Sequence, residues 1–445
     1  MASNAGTPRT LVLFIDYKWE YAQTCSHMLG ERSGTRYPME HTPDASAAVT
    51  AWPAHVVETR PWRQQFRSGT KADRMLSHVD AAIPPFIAAL DYSPPLSLIG
   101  ELETALMSIT RADADAEGHS VAVSRFMIRS ESVASSKIER IAASAEDYAK
   151  AIAGNRSNSS ATSMVAASRA LHALVTGVGD QNAFTLEGVL SAHQALMNDD
   201  PREANYAGRL RDMQNWIGGS DHSPRGALYV PPAPERVAEL MSDLIDYLNR
   251  DDVPVIVQAA IAHAQFESIH AFTDGNGRIG RALVSASLRR RGVTRNAVVP
   301  LASGLLAQRE GYFDALTAYR RGEAGPIISL FAKSARVAAV ESRDSIAAIK
   351  VLPSEWRETY RPRTGSAGAA LIEAFYDHPV MSMDDIERLD LGSSSRIYAA
   401  VEDMVAVGIL REITGRIRDR VWVASELIAE LDDLDRRIQA GMRRR

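Results

Sequence analysis

The sequence predicts a mainly α-helical protein, a helical core with a small β-hairpin, followed by a winged helix-turn-helix. Three observations predict it. Apolar residues recur at helical spacing through most of the chain beyond Lys71. Strand signals are confined to short pieces set between Gly and Pro. Near the C-terminal end, three helical segments precede two short strands around a turn, which is a winged-helix pattern.

The elements follow in order. Residues 1–70 mix Pro, Thr, Ser and His with scattered tryptophans, Trp52 and Trp62 among them, and read as an irregular arm in which LVLFI is a short strand candidate. Residues 71–184 form an N-terminal helical region. Here MLSHVDAAIPPFIAAL has helical spacing broken at Pro84 and Pro85. LSLIGELETALMSITRADADA is an amphipathic helix, and SVAVSRFMIRSESVASSKIERIAAS follows it. The Ser-rich GNRSNSSATS is a linker or cap, and VAASRALHALVTGV is the next helix.

Residues 185–351 form the core. TLEGVLSAHQALM starts at Thr185, a favourable N-cap with Glu187 close behind. GRLRDMQNWIGGSDHSPRGALYVPPAP is rich in Gly and Pro and holds a hairpin. PERVAELMSDLIDYLN and DDVPVIVQAAIAHAQFESI are helices, the second with Pro254 in its first turn. GRALVSASLRRRG resumes the helix, and two more reach about Val351. A polar connection, SEWRETYRPRTGSAG, leads to the winged helix at 365–425, and a charged helix with a basic tail fills 426–445.

Length suggests roughly three domains. A net charge of −5 gives no global attraction to nucleic acid or to an anionic membrane. The single cysteine, Cys25, allows no disulfide within the chain and fits a reducing compartment. No apolar run reaches the length of about 18 residues that a spanning helix needs. The expectation is a cytoplasmic protein without membrane contact.

The stretch ESIHAFTDGNGRIGRAL interrupts helix-prone sequence with glycines and crowds polar side chains around the break. One helix ends near Ile269 and another begins at Asn276 to Arg278. Gly275 and Gly277 let the backbone turn tightly and approach a ligand. The new helix start presents unpaired N–H groups, an anion site. Arg278 and Arg281 share a face beside it and suit a polyphosphate. Asp274 is placed to hold Mg²⁺ against bound phosphates. His270 titrates in the range of a general base. Other glycine-rich sites fail. Position six of an EF-hand would be Ile279, no P-loop pattern exists, and no strand precedes the glycines as a dinucleotide fold requires.

The string from His270 to Arg281 matches the Fic family motif H-x-F-x-[DE]-G-N-G-R-x-x-R at every fixed position. GRLRDMQNWIGG and YVPP resemble the Fic flap, and REGYFDAL resembles the helix after the motif. The resemblance implies transfer of AMP from ATP, with Mg²⁺, to a Ser, Thr or Tyr hydroxyl of a target protein or of the chain itself, with release of pyrophosphate. It implies His270 as the base and Asp274 as the metal ligand. Gly275, Asn276, Gly277, Arg278, Ile279, Gly280 and Arg281 would bind nucleotide, with Tyr312 and the flap residues Ile217, Gly218 and Gly219. Phe272 would fix the loop. The flap, with Tyr229, Val230, Pro231 and Pro232, would dock the target as an added strand. Arg320 departs from the Asn common in relatives, and Ala271 from the usual Pro.

SSKIER resembles the family's inhibitory motif [ST]-x-x-x-E-[GN], with Ser135 and Glu139 in place and Arg140 departing from Gly or Asn. The implied mechanism is self-inhibition: Glu139 paired with Arg281 would turn the guanidinium away from the γ-phosphate. The alternatives are removal of AMP, transfer of another phosphate-containing group, or a winged-helix regulator that only senses nucleotide. In the winged helix, Arg396 is offset by Glu402 and Asp403, and the wing offers Arg411, Arg416, Arg418 and Arg420. That charge is modest for DNA and favours a protein partner. A homodimer is a further expectation. His263 reads as a packed core histidine rather than a ligand.

Overall fold

A β-hairpin stands where the sequence reads as the end of an arm and the start of a helix. The computed structural model describes residues 52–64, 68–416 and 419–444, so LVLFI, Cys25 and Arg418 lie outside the described residues. Strand β1 (Val56–Pro61) pairs antiparallel with β2 (His78–Ile83), from Val56 opposite Ile83 to Pro61 opposite His78. Between them a single turn, α1 (Lys71–Arg74), is closed by a capping box of Thr70 and Asp73. The expected helix over MLSHVDAAI is thereby corrected. HVDAAI alternates with period two, and Ala81 and Ile83 bury against Val230 with Trp216 and Ala227 alongside. This contact settles an ambiguity that helical Ala and Leu propensities decide the other way.

The helices then follow: α2 (Leu96–Asp115), α3 (Ser120–Ile138), α4 (Ala145–Ile152), α5 (Ser159–Gln181) and α6 (Leu186–Met197). Ser144, Asn158 and Thr185 cap α4, α5 and α6 through their side chains, each accepting from a backbone N–H of the first turn. The flap region narrows to one bridge, Ile217 opposite Tyr229, with Gly218 and Gly219 at positive φ in the turn. Beyond it come α7 (Pro234–Leu248), α8 (Val255–Ile269) and α9 (Asn276–Arg290). All of α8 is buried, as its apolar composition requires, and it forms the axis of the core. α10 (Leu301–Ala307), α11 (Arg309–Arg320) and α12 (Gly325–Tyr360) complete this part.

Helix α12 runs through Pro353, where the sequence predicts its end. Proline removes one backbone donor, but Pro353 and Trp356 are buried, and Trp356 Nε1–H donates to Glu426 at 2.5 Å. Packing outweighs the local break. The C-terminal part holds α13 (Ala367–Asp377), β3 (Val380–Ser382), α14 (Met383–Glu387), α15 (Ser394–Ala406), β4 (Leu410–Glu412), β5 (Val421–Ala424) and α16 (Ser425–Arg443). Its antiparallel sheet has the order β3-β5-β4. Arg420 pairs with Glu402 at 2.8 Å and Arg411 lies 4.0 Å from Glu146, so two of the wing arginines face acids of the chain itself. The largest buried cluster runs from Trp52 to Met442. Among the described residues, no helix is long and apolar enough to cross a membrane.

Candidate active site at the α8–α9 turn

Helix α8 stops because His270 adopts a left-handed conformation, φ 51 and ψ 60. Non-glycine residues rarely occupy this region, and strain of this kind concentrates where function requires it. Gly275 starts α9 with φ 78. A side chain there would also lie 2.8 Å from Leu196 Cδ2, so only glycine fits. The first helical bond runs from Ile279 N–H to the Gly275 carbonyl at 3.1 Å. The N–H groups of Asn276, Gly277 and Arg278 are therefore left to whatever anion approaches.

Glu139 occupies that position. Its carboxylate spans both arginines, with Arg278 Nε at 3.0 Å from Oε2 and Arg281 Nη2 at 2.7 Å from Oε1. A Cβ on Gly277 would collide with Glu139 Oε1, so the carboxylate lies directly on the first turn of α9. Arg281 also donates to Ser135, through Nε to Oγ at 2.7 Å and through Nη2 to the carbonyl at 2.9 Å. Arg278 Nη1–H donates to Ser163 Oγ at 2.7 Å. Helix α3 ends at Glu139 in a Schellman arrangement, with Arg140 N–H bonded to Lys137 C=O at 3.0 Å and Ile141 N–H to Ser136 C=O at 3.1 Å. Arg140 has φ 61, the conformation that Gly or Asn adopts most easily. The departure noted in the sequence thus falls on the one residue of the turn where it strains the backbone.

His270 is 6% exposed and its Nδ1 is buried, with the Glu267 backbone close enough to favour the protonated ring. Burial, with the Arg211 and Arg320 guanidiniums nearby, pushes His270 down to about 3, below the general-base range expected from the sequence, so the ring is neutral at physiological pH. Phe272 is fully buried and its backbone is pinned by Asn276, whose Oδ1 accepts from Phe272 N–H and whose Nδ2 donates to Phe272 C=O, both at 2.9 Å. Asn276 braces the loop with its side chain, leaving its N–H to the cradle. Tyr312 is buried and its hydroxyl lies 2.7 Å from His263 Nε2. His263 is wholly buried, as expected for a packed histidine. Ile279 is fully buried, and Gly280 lies against His263, Phe266 and Glu267, so these two pack α9 on α8.

Asp274 is about a third exposed, with a side-chain exposure of 35%. Its Oδ1 accepts from Gly275 N–H at 2.5 Å and lies 3.5 Å from Arg278 Nη2, which leaves Oδ2 open. One hard oxygen donor beside a phosphate cradle fits Mg²⁺, which takes its remaining ligands from substrate and water. Among the described residues no group of three or more His, Cys, Asp and Glu side chains is placed to hold a metal by itself.

On the flap, Tyr229 donates its hydroxyl to the Ser268 carbonyl at 2.7 Å, and the Arg320 guanidinium stacks 3.6 Å over its ring. The Val230 carbonyl accepts from Ala82 N–H at 2.9 Å, so β2 already lies along that arm. Gln214 Nε2–H donates to Pro231 C=O at 2.9 Å.

Two supporting residues escape sequence reasoning. Glu203 is buried, accepts from Thr273 Oγ1 at 2.7 Å, and is pushed up to about 7 by burial. His193 stacks on Phe272 with centroids 3.7 Å apart and planes 3° from parallel. Its Nδ1 accepts from Gly208 N–H at 3.0 Å and its Nε2 donates to Asp274 C=O at 3.1 Å. A lone His on a helix gives no signal of this role. His193→Ala should destabilise the fold by about 2–4 kcal/mol, from two hydrogen bonds and an aromatic stack. Burial pushes His193 down to about 4. With a folded value below the unfolded one, its contribution is full above about 6.5 and is lost as pH falls through about 4. Denaturant unfolding should therefore show the gap between wild type and variant narrowing from pH 7 to pH 4. A gap independent of pH would contradict the neutral, stacked His193.

The Fic/DOC family model matches residues 183–288, which contain the turn, the flap and α6 to α8. The protein adenylyltransferase fic-1 of Caenorhabditis elegans is 30% identical over 158 residues, 35% of this chain and 28% of that protein. The protein adenylyltransferase Fic of Nematostella vectensis is 31% identical over 162 residues, 36% of this chain and 34% of that protein. The chain thus spans about a third or less of the length of these relatives. A crystal structure of a Fic family protein from Desulfovibrio desulfuricans superposes with a TM-score of 0.49 and 21% identity, covering 75% of this chain and 97% of that one.

Proposed function

We propose, from the match of residues 183–288 to the Fic/DOC family model, that the chain transfers AMP from ATP to a hydroxyl side chain of a protein. The observation that carries this reading is a buried histidine at the left-handed end of α8, followed within six residues by the start of α9, whose two arginines hold the Glu139 carboxylate. Both curated relatives described above are named protein adenylyltransferases.

The triphosphate would lie on the N–H groups of Asn276, Gly277 and Arg278, with Arg278 and Arg281 on its outer oxygens. Backbone donors and guanidiniums fixed before the reaction stabilise charge on the phosphates without reorganisation. The target hydroxyl approaches the α-phosphorus in line with the leaving group. His270 Nε2 takes the hydroxyl proton as the new O–P bond forms, and the bond from that phosphorus to the pyrophosphate oxygen breaks. The low value of His270 makes it proton-free before substrate binds, and the arriving phosphate charge raises its basicity when the proton must be accepted. Mg²⁺ held by Asp274 would neutralise charge on the departing pyrophosphate. Because β2 engages Val230, the edge of the flap left for an extended target segment is the Ile217 to Gly219 side.

Glu139 opposes all of this. To seat the γ-phosphate, Arg281 must be released from Glu139, and the carboxylate must leave the first turn of α9. On this reading the arrangement with Glu139 across both arginines is the inhibited form. Two further elements of the reading are the winged helix as a protein-docking module and the target as a Ser, Thr or Tyr hydroxyl.

Mass spectrometry after incubation with ATP and Mg²⁺ tests the reading. An adenosine monophosphate adduct on a hydroxyl side chain supports it, and an adduct of phosphate alone overturns it. Asp274→Ala should lower transfer by about 10²-fold or more, since metal neutralisation supplies several kcal/mol. A titration of rate against Mg²⁺ that matches wild type would remove Asp274 from the metal site.

A further inference from the structure

The last carbonyls of a helix have no partner inside it, and a cation is favoured at that end. At the end of α8 that cation is Arg211, which lies in the segment leading to the flap and is 3% exposed. Its Nε–H donates to the His270 carbonyl at 2.8 Å, and its Nη2–H to the Ile269 carbonyl at 3.4 Å. Its own backbone N–H donates to the Ala271 carbonyl at 3.0 Å. Three successive carbonyls around the base are thus held by one residue. The same guanidinium reaches the flap, with Nη2–H on the Pro232 carbonyl at 2.5 Å and Nη1–H on the Met213 carbonyl at 3.0 Å. Among the described residues no carboxylate forms an ion pair with Arg211 within 4.0 Å. Burial pushes Arg211 down to about 10, so it remains charged at neutral pH.

A buried cation whose hydrogen bonds all go to backbone carbonyls is an expensive way to hold a loop. Its planar fork offers what a shorter or apolar side chain does not, five N–H donors in fixed directions. Here those directions join the two ends of the flap to the strained residue that carries the base. A neighbouring stitch runs parallel, Asn215 Nδ2–H to the Phe272 carbonyl at 3.0 Å.

We propose that Arg211 is a positioning residue that sets the His270 ring against the flap, so that the target hydroxyl delivered by the flap arrives within reach of Nε2. The proposal rests on the AMP-transfer reading for its catalytic consequence, but the mechanical coupling stands apart from it. Arg211 touches neither nucleotide nor target. It acts through the backbone of Ile269 to Ala271 on one side and of Met213 and Pro232 on the other.

The test uses the full chain with Glu139→Gly as parent and Arg211→Lys and Asn215→Ala as variants. Lysine keeps the charge and loses the fork. Displacement of a reacting group by about 1 Å lowers rate around 10²-fold. Arg211→Lys should therefore lower kcat about 100-fold, with KM for ATP little changed, because the phosphate cradle on α9 is untouched. Asn215→Ala, which cuts one neighbouring bond, should lower kcat in the same direction by about 10-fold. Hydrogen exchange supplies the readout independent of activity. Amides of the flap and of the 269–273 loop should lose protection together in Arg211→Lys, while those of α9 do not. A variant with undiminished kcat overturns the positioning role, and so does a rise in KM for ATP alone. Flap and loop protection unchanged from the parent, or lost in only one of the two, overturns the coupling. If Arg211→Lys fails to fold, Asn215→Ala decides by the same two readouts. A parent that transfers no AMP would refute the functional reading, and the exchange result would still decide the coupling.

Discussion

His270→Ala is expected to lower AMP transfer by about 10²- to 10⁴-fold, the usual range for loss of a general base, and to leave ATP binding in place. The two effects separate because the ring and the phosphate cradle belong to different helices. On the proposed reading, nucleotide is gripped by the start of α9 and by Arg278 and Arg281, whose described side-chain bonds go to Glu139, Ser135, Ser163, Asp274 and Met197. The imidazole would act on the incoming hydroxyl alone. The backbone at His270 is left-handed, and the bonds from Arg211 go to carbonyls, so truncation of the side chain does not remove them. Rates with labelled ATP and thermal shifts with unlabelled ATP, measured on the same preparations, check both halves. Full activity in the variant would remove His270 from the reaction. Loss of ATP binding would mean that the ring shapes the cradle.

Glu139→Gly is expected to raise transfer by about 100-fold, because the carboxylate now lies on the first turn of α9 and holds both arginines. A γ-phosphate cannot share that space with an anion. The same substitution removes the only acid within 3.0 Å of two buried guanidiniums among the described residues. Breaking a buried pair costs about 3–5 kcal/mol when nothing replaces the lost charge. The variant without nucleotide should melt lower than wild type. Nucleotide phosphates replace the missing anion, and ligand at 100 times its Kd returns about 2.7 kcal/mol. The gain in melting temperature on adding ATP should therefore be larger for the variant. Equal gains would mean that Glu139 and the γ-phosphate do not compete.

The candidate site was legible in the sequence because its chemistry is local. Two glycines, a histidine, an acid and two arginines within a dozen positions specify a helix break, an anion cradle and a base, and the structure brings these together. Glu139 was legible only through its spacing from Ser135, and the sequence paired it with Arg281 alone. The carboxylate in fact spans Arg278 as well, each of its two oxygens reaching one guanidinium. Arg211 and His193 left no signal, because their partners are backbone carbonyls and an amide, several of them far along the chain, and any backbone presents those. In the fold, errors fell where tertiary contact overrides local preference. Helix α12 survives Pro353 through the buried Trp356 and its bond to Glu426. Strand β2 forms where Ala81 and Ala82 favour helix, because β1 and the flap offer it two edges.

On the proposed reading, the turn between α8 and α9 transfers the α-phosphate of ATP, together with its nucleoside, and Glu139 holds it back. The most direct measurement follows label from α-labelled and from γ-labelled ATP into protein, for wild type, Glu139→Gly and the Glu139→Gly, His270→Ala double variant, at equal protein, ATP and Mg²⁺. The account predicts α-label incorporated by Glu139→Gly at about 100 times the wild-type rate, no γ-label in any of the three, and near-loss of α-label in the double variant. Incorporation of γ-label, or α-label in Glu139→Gly at or below the wild-type rate, would contradict it.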